Sequence, residues 1–274
     1  MKIGINHWTF PKEPSLAECF AMAKRAGCDH IEVNLADEGE GELSLASSEA
    51  DVRAVAQSAK DAGIAISSLS TGLYWKYSPT SNDAGLRARG ADVLKQQLRA
   101  ARWLGVDTVL VVPGGVTPDV SYDVAYERAG QFVADGVAAA REAGVAIGIE
   151  NVWNRFLLSP LEMRAFVDQF SDPVHVGVYF DAGNILAYGY PQHWIRILGR
   201  ERIKKVHVKD FDDGVGGYAG FRNLLQGKVP WAEVRKALEE IGYDDYVTAE
   251  VSGYNVHPEL GLKHIADCLR VVFA

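Results

Sequence analysis

Short β-branched runs alternate along the chain with longer stretches in which apolar residues recur every three or four positions. The runs KIGINHW (2–8), HIEVNL (30–35), IAISSLS (64–70) and DTVLVVP (107–113) read as strands. VAIGIEN (145–151), VHVGVYFD (174–181), RIKKVHVKD (202–210) and YVTAEV (246–251) read the same way. The intervening segments carry helical periodicity, clearest in LAECFAMAKRAG, EADVRAVAQSAKDAG, GLRARGADVLKQQLRAARWLG and AYERAGQFVADGVAAAREAG. Gly27, Gly63, Gly105, Gly144 and Gly242 each stand where a helical pattern gives way to a strand. A short turn there needs a left-handed residue, which glycine adopts without steric cost.

Eight βα units with no linker or low-complexity tract between halves predict one closed (β/α)₈ TIM barrel spanning residues 1–274. The turn after the first strand reads HWTFPKEPS, without the glycines of a dinucleotide-binding fold. A net charge of −8 and a pI near 5.4 weigh against nucleic-acid or anionic-membrane partners. No apolar run is long enough to span a bilayer. The start of the chain lacks the hydrophobic region of a signal peptide, and Cys19, Cys28 and Cys268 lack metal or disulfide spacing. A cytoplasmic protein with buried thiols is the expectation.

In such barrels the reacting groups sit at the C-terminal ends of the strands, facing inward. Four consecutive predicted strands end there in a metal-competent side chain: Glu150, Asp181, His207 and Glu250. Alternation agrees, because Val206 and Val208 flank His207 on the outward face, and Val247 and Ala249 precede Glu250. A single strand-end carboxylate is more often a solvated or ion-paired group. Three carboxylates and an imidazole at one barrel mouth instead call for one divalent cation, and Mn²⁺, Mg²⁺, Co²⁺ and Zn²⁺ all suit such donors.

The segments IENVWNRFLLSPLEM, VYFDAGN, RIKKVHVKD, GFR (220–222) and VTAE resemble the sugar phosphate isomerase/epimerase family of xylose isomerase-like TIM barrels. That family includes tagatose 3-epimerases and L-ribulose or L-xylulose 5-phosphate 3-epimerases. The resemblance implies that Glu150, Asp181, His207 and Glu250 hold the metal and that Glu150 and Glu250 also move the proton. It implies a sugar or sugar phosphate as substrate, and a homo-dimer or homo-tetramer. The chemistry is consistent: inverting a carbinol beside a carbonyl, or shifting the carbonyl, removes a proton from carbon, and a cation stabilises the cis-enediolate that results.

Further substrate contacts are expected from Asn184, three residues beyond Asp181, where some relatives carry histidine, and from Arg222, matching the family's loop arginine. Lys209 shares the face of His207, and His7 and Glu32 end the first two strands toward the same mouth. Trp8, Tyr74, Trp75, Tyr77 and Trp153 are candidates for a sugar-stacking wall or an oligomer contact. The glycine-rich loop 214–220, with Arg222 and Lys228, suits an anion, whereas Asp210, Asp212 and Asp213 oppose one. Three other functions compete. An inosose dehydratase-like lyase shares the first proton transfer. An abasic-site endonuclease would need a histidine-rich metal cluster, and the chain has seven histidines, mostly outside the predicted strand ends. A non-catalytic sugar-binding barrel would be expected to have lost a ligand.

Overall fold

All eight predicted strands form, each trimmed where its apolar run enters a loop. The computed structural model, which describes residues 1–273, contains β1 (Lys2–Asn6), β2 (His30–Asn34), β3 (Ala65–Ser70), β4 (Thr108–Val111), β5 (Ala146–Glu150), β6 (Val176–Asp181), β7 (Ile203–Val208) and β8 (Tyr246–Ala249). They form a closed parallel barrel in sequence order, and β1 completes the ring by pairing with β8, Ile3 opposite Val247. The (β/α)₈ fold is therefore present. His7 and Trp8 leave the first strand because Asn6 caps a 3₁₀ turn, its side chain accepting from the Trp8 amide at 2.7 Å.

Helices return the chain across the outside. Ser15 and Ser48 open Leu16–Ala26 and Glu49–Asp61 with reciprocal capping by Glu18 and Asp51. The five glycines anticipated as helix stops all have positive φ, from 68° to 93°. Each lets the chain turn into the next strand within a few residues. Val206, Val208, Val247 and Ala249 are fully buried under the helices. Their neighbours along each strand consequently face the barrel interior.

Short elements escaped the periodicity analysis. After β7 the chain forms a two-stranded antiparallel ribbon, Asp210–Phe211 against Phe221–Arg222. These pieces are too short to show any alternation. The ribbon is anchored by Asp210, whose buried carboxylate accepts from the Val229 amide at 3.0 Å and the Trp231 indole at 2.9 Å. Above it, Trp153 packs on Phe211 and Phe221 at ring separations of 5.2 and 4.7 Å.

The turn Ala182–Ile185 follows β6 and passes so close to β7 that a Cβ on Gly183 would strike the Lys209 carbonyl. Gly183→Ala should cost about 1–3 kcal/mol of stability, seen as a lower melting temperature in thermal unfolding. An unchanged melting temperature would contradict this approach.

Candidate active site

The ends of β5, β6 and β7 deliver Glu150, Asp181 and His207 to one place, and Glu250 follows β8 directly. One ligand atom from each lies within 4.8 Å of all the others. An ion with bonds of about 2.0–2.6 Å separates opposed ligands by about 4–5 Å, so the four fit around a single cation. His207 aims Nδ1 into the group, 3.3 Å from Glu150 Oε1 and 3.8 Å from Glu250 Oε2. Asp181 accepts from the Asn184 amide at 2.9 Å on one oxygen and from Lys209 Nζ at 2.6 Å on the other. Lys209 also donates to Glu250. The mixed oxygen and imidazole donors suit Mn²⁺, Mg²⁺, Co²⁺ or Zn²⁺.

The electrostatics follow from burial. Glu150 is 4% exposed. Burial, with help from the charge of Glu250, pushes its carboxyl up to about 7 against the hydrogen bond from His207. Lys209 behaves in the opposite sense: burial disfavours its charge, but Asp181, Glu250 and Glu150 outweigh that and hold the ammonium above its ordinary value. Burial likewise opposes the charged form of His207, and Glu32, Glu250 and Glu150 overcome it and raise the imidazole well above its usual value.

A cavity of about 560 Å³ opens over the cluster, within the range of small-molecule sites. Glu150, Glu250, Lys209, Asn184 and Arg222 line it, and Trp8, Trp75, Trp153, Tyr218 and Phe221 contribute aromatic wall. Asn184 both lines the cavity and ties the turn after β6 to the loop after β5, its side chain donating to the Asn151 carbonyl at 2.9 Å. Arg222 lies on the ribbon and donates to the carbonyls of Ala219 and Phe221. Lys228, the other candidate anion contact in that loop, is paired with Asp212 and Asp213.

Two anticipated substrate contacts lie elsewhere. His7 is half-buried and lines a neighbouring cavity of about 830 Å³ that shares only Trp8 with the first. The turn capped by Asn6 carries it there. Glu32 is fully buried against His207 rather than at the cavity wall, because it stands two residues before the end of β2. Tyr74 also turns away, buried and hydrogen-bonded to Gln97 at 2.7 Å, and Tyr77 bonds Asp37. Sequence reasoning missed Asn151, whose side chain accepts from the Asp181 amide at 2.9 Å and donates to its carbonyl at 2.8 Å. It also missed Thr71, Asn223, Gln226 and Ser252 in the cavity wall. These are loop residues without a periodic signal. The remaining histidines stay apart: His30 is buried against Tyr246, and His175 pairs with Asp172.

A family model described as xylose isomerase-like TIM barrel matches residues 20–272. The chain belongs to that family. Among curated relatives of this xylose isomerase-like barrel is the putative L-ribulose-5-phosphate 3-epimerase of Escherichia coli K12, 26% identical over 88% of this chain and 85% of the relative. Epimerases are isomerases, which places the family resemblance in that enzyme class. A solved L-ribulose 3-epimerase superposes with a TM-score of 0.81 at 20% identity, covering 98% of this chain and 93% of that one. The IOLI protein, solved with a bound zinc atom, gives a TM-score of 0.78 at 18% identity over 99% and 96% of the two chains. No helix among the described residues is long and apolar enough to cross a membrane.

Glu150 yields a stability prediction. A carboxyl whose folded value is raised contributes stability below its ordinary value of 4.5 and loses it as pH rises through about 7. Glu150→Gln should therefore stabilise the metal-free protein at pH 8 by about 1–3 kcal/mol, seen as a higher melting temperature, and much less at pH 5. A lower melting temperature at pH 8 would contradict the burial argument.

Proposed function

We propose that this chain is a divalent-metal-dependent sugar epimerase or isomerase that transfers a proton at the carbon beside a ketose carbonyl. The observation that carries the reading is the pair Glu150 and Glu250. They stand at the ends of β5 and β8, which β6 and β7 separate, both approach Nδ1 of His207, and both line the same cavity. Two bases reaching one substrate from different directions can divide the work, one taking the proton and the other returning it to the opposite face. Burial of Glu150 opposes the loss of basicity that a bound cation would impose, which suits a group that must accept a proton. The epimerase relatives named above support the same chemistry.

Glu150, Asp181, His207 and Glu250 would hold the cation, and its charge would stabilise the substrate oxygen that becomes negative as the proton leaves. The aromatic wall would exclude water and stack the C–H faces of the sugar. Arg222 and Asn184 would donate to substrate oxygens, and Arg222 is also the cavity-wall cation available to a phosphate. Lys209, tied to Asp181 and Glu250, would hold these two carboxylates in place while remaining within reach of the substrate.

Ketopentoses, ketohexoses and their phosphates in D₂O with Mn²⁺ provide the test. Deuterium uptake at C3, abolished by EDTA, is expected, and the product separates epimerisation from isomerisation. Exchange without metal, or none across the panel with metal bound, would overturn the proposal. Water loss from a cyclic polyol ketone would then favour the dehydratase. Glu150→Gln and Glu250→Gln should each lower kcat by about 10²–10⁴-fold. Retention of more than a tenth of wild-type kcat by either would remove that residue from the proton-transfer role.

A further inference from the structure

Glu32 has no surface in the cavity, yet four side chains from four other strands converge on it. Its Oε1 accepts from Tyr179 on β6 at 2.6 Å and from Ser68 on β3 at 2.8 Å. Its Oε2 accepts from Asn6 on β1 and meets Nε2 of His207 on β7 at 2.6 Å. An ionised carboxylate offers only acceptors, so the imidazole must donate from Nε2. That assignment leaves Nδ1 as the nitrogen that faces Glu150 and Glu250.

We infer that Glu32 is a positioning residue for the metal centre, fixing the rotation and the tautomer of His207 so that Nδ1 points among Glu150, Asp181 and Glu250. The inference rests on the metal reading of that cluster. A ring without this partner could rotate about its Cβ–Cγ bond and carry Nδ1 out of the group. Tyr179 and Ser68 add precision because they clamp the carboxylate from the side opposite Asn6 and are themselves 3.0 Å apart. Tyr179 further packs on the His207 ring at 4.6 Å, which restricts its tilt. A carboxylate behind a ligating histidine sets both the ring orientation and its basicity.

The measurement is Mn²⁺ titration of the purified protein, followed by the electron paramagnetic resonance of the free ion, for wild type and Glu32→Gln. Glutamine keeps the shape and one acceptor but loses the charge and offers an N–H₂ to a ring of donors. The expected result is one Mn²⁺ bound by wild type and a Kd about 10–100-fold higher for Glu32→Gln. A residue that only fills the barrel interior would lower the melting temperature and leave the Kd within twofold, which overturns the inference while the metal reading stands. Absence of Mn²⁺ binding by wild type refutes the metal reading and the inference with it. Should Glu32→Gln fail to fold, ¹⁵N NMR of wild-type protein loaded with diamagnetic Mg²⁺ decides. The His207 signals are assigned by their loss in His207→Gln. A protonated Nε2 with an unprotonated Nδ1 supports the inference, and the reverse tautomer overturns it.

Discussion

A carboxylate as completely buried as Glu32 costs several kcal/mol unless donors replace the water it has lost. Asn6, Ser68, Tyr179 and His207 are those donors, and they come from four different strands. Satisfying this one group therefore ties β1, β2, β3, β6 and β7 into a single arrangement. Burial alone would push the carboxyl upward. The charge of His207 and these hydrogen bonds outweigh it and bring it down to about 2. The imidazole that repays the cost is the one that faces the acidic cluster with its other nitrogen, so stability and the geometry of the site have a common origin.

Above that layer the balance of charge is deliberately incomplete. Glu150, Asp181 and Glu250 lie close together, and Lys209 reaches only Asp181 and Glu250. Glu150 has no direct ion pair with the ammonium, and burial, with the charge of Glu250, holds its carboxyl above the ordinary value. Such an arrangement favours whatever brings positive charge or takes up a proton at Glu150.

The mouth is completed by pieces that have little structure of their own. The ribbon formed by residues 210–211 and 221–222 holds Arg222 over the cavity because Asp210 fastens its base and Trp153 packs against Phe211 and Phe221. Loops of this kind are where barrels sharing one catalytic floor come to differ in substrate. The aromatic wall and the half-buried arginine are the features of this chain that a bound sugar would meet first.

Periodicity was sufficient for the barrel itself. The spacing of β-branched runs, the helical stripes and the five helix-ending glycines are local properties, and the eight strands appeared within a few residues of their expected positions. Glu150, Asp181, His207 and Glu250 were legible for the same reason, since alternation along a strand assigns a face and the end of the strand assigns a height. Height within the barrel was not legible for Glu32, because strands of a tilted barrel are staggered and the layer a residue joins depends on its neighbours' register. Nor was the turn that takes His7 to the adjoining cavity, which depends on one side-chain cap by Asn6. The sequence by itself determined which side chains could face inward. Tertiary structure decided which of them meet solvent, which meet one another, and which nitrogen of His207 is turned toward the acids, because those depend on contacts between strands far apart in the chain.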